Sequence, residues 1–299
     1  MSGATWTVTR PGIQEGRFVD ANEFLRALDA SSALWRDAAD AWIFRGHANA
    51  EWALEPNAHR ADAWAALARP GETPFVPDLE TEQTRLGKEG KLLQDFIEAL
   101  EGSGIQVPFE YRTLGQVNGV GNEKPLALAQ HYGLPTRLLD WTRDSATAAY
   151  FACLRPATPA VDLAVWALNG AYVNSNPTDA AVCKVIQTTR YDNPNLHAQE
   201  GLFTLAGPAP GSDLTLTDLP RIDDILSAIT AGTLPVRIGS PPAPDPIMRK
   251  FVLARSQDEH LMNCLHRRRV TASRLFPGLA GVAMTVRERV VFGVKGPGF

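Results

Sequence analysis

Apolar positions along the chain recur at two spacings, one near 3.6 residues and one of 2, so helices and strands are both expected. Residues up to about Val19 read as an extended arm or first strand. Asp20 with Glu23 forms a capping-box-like start, and Phe24, Leu25, Leu28, Leu34 and Trp35 follow at helical spacing. They predict a helix to about Ala39, broken near Ser31–Ser32. Trp42 to Gly46 reads as a strand, with Trp42 and Phe44 on one face and Ile43 and Arg45 on the other. A turn over Trp52–Arg60 leads to a helix from about Ala61 to Leu67. Arg69–Asp78 is a Pro- and Gly-rich loop. Glu80–Glu101 is a long amphipathic helix closed by Gly102 and Gly104, and Ile105–Glu123 an extended piece.

The densest pattern lies between Leu126 and Leu154. Pro125 suits a first helical turn, Gly133 a left-handed helix end, and Pro135 prevents a restart. Leu138–Trp141 is then a short strand, and Thr142 or Asp144 caps a second helix. Asp162–Leu168 and Val182–Gln187 read as further strands, with a polar turn over Asn169–Asp179 between them. Gly207–Asp245 is rich in Pro, Gly, Asp and Thr and reads as a surface excursion carrying a short helix over Asp218–Ala231. Arg249–Arg255 alternates as a strand, Ser256 and Glu259 cap a helix to about Arg267, and a last helical segment runs from Leu275 through Val291.

Composition narrows this picture. An apolar content of 44% provides for a buried core, and a net charge of −4 gives no global attraction to nucleic acid or membrane. The one basic cluster is His266–Arg269 with Arg274. It reads first as compensation of a helix end and second as a phosphate track. Cys153, Cys183 and Cys264 sit among apolar neighbours and read as buried thiols. No metal-ligand spacing occurs, no run has transmembrane length, and the first residues lack a signal-peptide core, so a cytoplasmic protein without metal or membrane is expected.

Arg45 inside an apolar strand needs a partner. The alternatives are a buried ion pair with a glutamate and a clamp on paired phosphates, whose geometry the guanidinium matches. Gly46 would let a ligand approach the backbone. His47 reads as a loop histidine or second anchor, and Arg60 as a phosphate contact or surface charge. His131, Arg137 and Asp140 crowd one bend, as a site or as a turn-fixing salt bridge.

The string QHYGLPTRLLDWT, starting at Gln130, taken with Phe44–Arg45–Gly46, AQEGLFTL and LFPGLAG, resembles the FRG domain family over roughly Ala41–Ala283. The 13-residue string is highly specific; the tripeptide alone is not. The resemblance implies an α+β fold: a single large domain with an ADP-ribosyltransferase-like split β-sheet core and surrounding helices. Residues 1–40 would be an N-terminal arm and helix, and 41–299 one compact unit with a loop-rich excursion at 207–247.

That family occurs in bacterial and phage-related proteins, often in defence. By analogy with ADP-ribosyltransferases it implies NAD as substrate and a macromolecular acceptor, RNA or DNA before protein, with an antidote or phage protein as a further partner. Arg45 and Gly46 would grip the NAD phosphates. Tyr132, Thr136, Arg137, Asp140 and Trp141 would shape the pocket, with His131 beside them and Trp141 or Tyr132 against the nicotinamide. The usual Gln/Glu-x-Glu spacing is absent. Gln199 or Glu200 would act at the ribose, and on a strand the two would face opposite ways. A non-catalytic nucleotide- or phage-component-sensing module and a ribonuclease using His47 and His131 are the alternatives.

Overall fold

The computed structural model describes residues 4–35, 41–67, 82–115, 122–154, 161–175, 177–179, 181–187, 194–208 and 221–294. The expected helix beyond Trp35, the loop at 69–78 and much of the 207–220 excursion lie outside the described residues. Eight strands form one sheet: β1 Trp6–Arg10, β2 Ile13–Phe18, β3 Trp42–His47, β4 Leu138–Thr142, β5 Leu163–Asn169, β6 Ala181–Ile186, β7 Gly201–Pro208 and β8 Met248–Leu253. Their order is β1-β2-β8-β5-β3-β4-β7-β6, antiparallel except for the parallel pair β2/β8.

The helices are α1 Ala21–Leu28, α2 Ala61–Ala65, α3 Glu82–Ser103, α4 Glu123–His131, α5 Ser145–Cys153, α6 Gly170–Asn174, α7 Pro194–Ala198, α8 Ile222–Thr230, α9 Asp258–Arg267, α10 Ala272–Leu275 and α11 Leu279–Val291. The fold is thus mixed α+β.

Local chemistry sets many boundaries. The Asp20 carboxylate accepts from the Glu23 amide at 2.9 Å and starts α1. Asp144 accepts from the Ala146 and Thr147 amides and starts α5, while Thr142 Oγ1 accepts from the Asp144 amide. Both cap candidates therefore act, one behind the other. Gly133 takes a φ of 85° and closes α4. The Ser256/Glu259 capping box does not form. A 3₁₀ turn over Arg255–Gln257 leads into α9, and Gln257 Oε1 instead accepts from the Ala21 amide, tying α9 to α1.

Alternation along β3 sends Trp42 and Phe44 into a core with Phe24, Trp35, Tyr150 and Phe251, and Ile43 into the opposite core with Trp166, Leu168, Ile225 and Met248. A third core, built on Leu93, Leu126, Leu138 and Phe203, seats α3 and α4. β3 pairs with β5 over its whole length, from Trp42 opposite Asn169 to His47 opposite Ala164. On its other side it meets β4 at one pair only, Phe44 opposite Thr142. The sheet stays continuous through that pair, and the two strands part beyond it.

Gly46 stands on the α5 side of β3. A Cβ at this position would overlap the Ala148 carbonyl oxygen and come within 2.6 Å of the Ala152 nitrogen. The close approach that requires glycine is therefore that of helix α5, while the residue also borders the cleft where β3 and β4 part. Gly46→Ala should destabilise the fold by about 3 kcal/mol in urea titrations, since neither backbone can yield. Gly133→Ala, strained only by its φ and with no neighbour to meet, should cost about 1 kcal/mol.

Candidate functional site

A cleft of about 550 Å³ opens where β3 and β4 part. Phe151 and Leu154 of α5, with Phe276 and Met284 from the α10–α11 region, make its apolar wall. Arg45, Asp140, Thr142 and Gln199 make the polar side, and Trp52, 44% exposed, stands at the lip.

Arg45 spans the split. Its Nη1 donates to the Asp140 carbonyl oxygen at 2.7 Å, and its Nε donates to His47 Nε2 at 3.1 Å. The Asp140 carboxylate is farther off, 3.6 Å from Nη1. Among the described residues Nη2 has no hydrogen-bond partner. Burial pulls the guanidinium below its usual range; Asp140 opposes this and Arg60 adds to it. Arginine nevertheless keeps its charge in proteins.

His47 is the last residue of β3 and is 3% exposed, so it is not a loop histidine. Burial first, then the charges of Arg45 and Arg60, hold its pKa well below 6.5. A neutral ring with Nε2 as acceptor is what Arg45 requires. Arg60, whose Nε and Nη2 donate to the Glu55 carbonyl, thus supplies a second positive charge to the region.

The polar residues of the central string form a relay toward Arg45. Thr136 Oγ1 donates to Gln130 Oε1, and Gln130 Nε2 donates to Asp140 Oδ1 at 2.9 Å. Thr136 is buried, so it aims Gln130 rather than a ligand. Asp140 is exposed and lines the cleft. Gln130 has to be added to the candidate residues. It stands in the same string as His131, where a titratable histidine outweighs a neutral amide as a sign of chemistry.

The other expected residues are placed as follows. Arg137 is buried away from the cleft and paired with Glu89, Nε to Oε2 at 2.7 Å, while the same carboxylate accepts from the Arg137 amide. Its carboxylate partner is thus Glu89 and not Asp140. Trp141 lends the cleft a border, but its ring is buried and its Nε1 donates to Thr204 Oγ1 at 2.8 Å, so it cannot stack on an incoming ring. His131 and Tyr132 stack edge to face at the end of α4, both exposed, and neither lines the cleft. With His47 buried and neutral, a His47/His131 acid–base pair has no support.

Gln199 and Glu200 are not on a strand. They form the turn between α7 and β7, and Glu200 has a φ of 48°. Gln199 lines the cleft, its Nε2 donating to the Leu275 carbonyl at 3.0 Å. Glu200 borders a separate groove with Arg143 and Arg268. Strand alternation therefore gives the wrong reason for their divergence; the turn supplies it. Sequence reasoning misses Trp52, Phe151, Phe276 and Met284 as site residues, because apolar periodicity assigns such side chains to a core. Phe276 alone carries a hint, in LFPGLAG.

Among the described residues no group of His, Cys, Asp or Glu could hold a metal ion, and no helix is long and apolar enough to cross a membrane.

Residues 40–160 match the family model of the FRG domain. The chain carries an FRG domain, and that span supplies β3, β4, α5 and hence Arg45, Asp140 and Phe151. Gln199, Phe276 and Met284, which also line the cleft, come from beyond it. No curated protein and no solved structure matches the chain.

Two outcomes are expected. Glu89→Ala should cost about 3–5 kcal/mol in thermal or urea unfolding, because it strands a buried guanidinium, and the double variant Glu89→Met/Arg137→Met should recover much of that. A histidine whose folded pKa is depressed stabilises the fold above its unfolded value, near 6.5, and this contribution is lost as pH falls below that toward the folded value. Wild-type stability should therefore fall below pH 6.5 by up to about 1.4 kcal/mol per pH unit more than that of His47→Gln, measured by unfolding across pH 7.5–4.5.

Proposed function

We propose that the β3–β4 cleft binds NAD and that the chain transfers its ADP-ribosyl group to a macromolecule, nucleic acid before protein. The observation that supports this reading is the pairing of an apolar, aromatic wall with one arginine whose Nη2 has no hydrogen-bond partner among the described residues and whose other nitrogens are fixed. A molecule joining aromatic rings to a diphosphate matches both halves. Nη2 of Arg45, with Arg60 adding positive potential, suits the diphosphate. Phe151, Phe276 and Trp52 suit the rings.

In such a transfer the bond between nicotinamide and the ribose breaks, and its electron pair leaves with nicotinamide. Positive charge builds at the anomeric carbon, an acceptor atom bonds there, and that atom gives up a proton. A carboxylate near that carbon lowers the barrier. Asp140 is the carboxylate bordering this cleft, and Gln130 orients it. We assign it the role that the resemblance would give Glu200, with Gln199 as the neutral hydrogen-bonding partner of the ribose.

A second reading, nucleotide sensing without chemistry, draws on the placement of Glu200 away from the cleft. Nicotinamide release separates the two. Incubation with labelled NAD and mixed RNA, DNA and protein should give a labelled acceptor and free nicotinamide. Arg45→Ala should weaken NAD binding by about 10- to 100-fold, the scale of a lost charged hydrogen bond, with circular dichroism retained. Asp140→Asn should leave binding within a few-fold and cut turnover by about 100-fold or more. Saturable NAD binding with no nicotinamide released would favour the sensor; no binding would remove both readings.

A further inference from the structure

Helix α11 is built inside out. Its inward positions are Gly281, Thr285 and Glu288, all buried. Each is fixed by a contact of its own. A Cβ at Gly281 would overlap the Phe276 carbonyl oxygen, Thr285 Oγ1 accepts from the Ser273 amide at 2.8 Å, and Glu288 is shared by the Tyr150 hydroxyl and His266. Its outward positions are apolar apart from Arg287. Leu279, Val282, Val286 and Val290 are 52–89% exposed and recur at intervals of three, four and four residues. They draw one continuous stripe about 16 Å long on a helix rising 1.5 Å per residue.

The exposed charge of this stretch of sequence has one sign. From His266 to Val294 the sequence holds six arginines and one acid, Glu288, in a chain whose net charge is −4. That acid is turned inward, whereas Arg267, Arg268, Arg269, Arg274 and Arg287 are exposed. Phosphate backbones have no use for a row of valines. A second copy of this chain would bring arginines against arginines.

We infer that the outer face of α11 is the docking surface for an acidic amphipathic helix of a partner protein. The apolar edge of that helix lies along the valine stripe by ridge-into-groove packing, and its acidic flanks meet Arg287 of α11 and Arg274 of the adjoining α10. Because Met284 of the same helix lines the cleft, the docked helix lies one helix away from it.

The test is selection from a displayed library of helical 21-mers with randomised apolar stripes, flanked by Glu in one arm and Lys in the other. Glu-flanked members should enrich at least tenfold over Lys-flanked ones. The best peptide, remade in solution, should lose at least tenfold affinity to Val286→Asp and to Val290→Asp, with melting temperatures unchanged because both sites are exposed. Equal enrichment of the arms, or binding that survives both substitutions, overturns the inference. So does a wild-type dimer in light scattering that Val286→Asp makes monomeric, which would assign the stripe to a second copy. Retention on phosphatidylserine vesicles or duplex RNA that Val286→Asp abolishes, without selective enrichment of the Glu arm, overturns it likewise.

Discussion

β3 and β4 part after a single residue pair, and the Arg45 guanidinium crosses the opening. A sheet that splits leaves backbone groups without ladder partners, which is costly away from water. Arg45 Nη1 answers one of them, the Asp140 carbonyl, from the adjacent strand. Helix packing sets one wall of the opening. α5 starts at the Thr142/Asp144 cap on β4 and lies directly against β3, an approach that only a residue without a Cβ at position 46 allows. One tripeptide thus sets the core with Phe44, spans the split with Arg45 and admits the helix with Gly46.

Much of this is legible in order along the chain. The α4–bend–β4–α5 unit, its caps and the opposite faces of Ile43 and Phe44 follow from period and turn chemistry, both of which act over a few residues. What is illegible depends on partners far away in sequence. Glu89 looks like a solvated helix position, yet it neutralises Arg137 across 48 residues. The need for glycine at position 46 is hidden because the helix that packs against it begins a hundred residues later. α7 has only five residues, too few for a helical period to emerge, so the turn holding Gln199 and Glu200 passes for strand. The N-terminal segment reads as an arm or first strand; it forms the hairpin β1–β2 and extends the sheet through the parallel pairing of β2 with β8.

A comparison with two buried arginines and one half-buried one shows why Arg45 is the one to watch. Arg137 has a carboxylate at 2.7 Å. Arg249 lies over the rings of Trp35 and Trp42, at 5.6 and 5.1 Å, and donates to the Leu34 carbonyl. Arg255 donates to the Val161 and Ala48 carbonyls. Each is tied into packing that encloses it. Arg45 alone of the four borders the cleft. Its close partners are neutral, an imidazole and a carbonyl, and its nearest carboxylate is largely solvated. Neutral partners fix direction without cancelling charge, so the guanidinium keeps its attraction for an anion while losing the freedom to turn away.

The choice of His47 as the second partner sharpens this. A carboxylate at position 47 would hold Nε more tightly and cancel the charge; a protonated histidine would repel it. Only an uncharged acceptor satisfies both demands, and burial keeps the imidazole uncharged. The relay Thr136–Gln130–Asp140 works by the same logic from the other strand, orienting a carboxylate with a neutral amide that draws off little of its charge. The two charged groups at the split are therefore each aimed by neutral neighbours and left incompletely compensated by one another, Asp140 being held in water and Arg45 at the cleft wall.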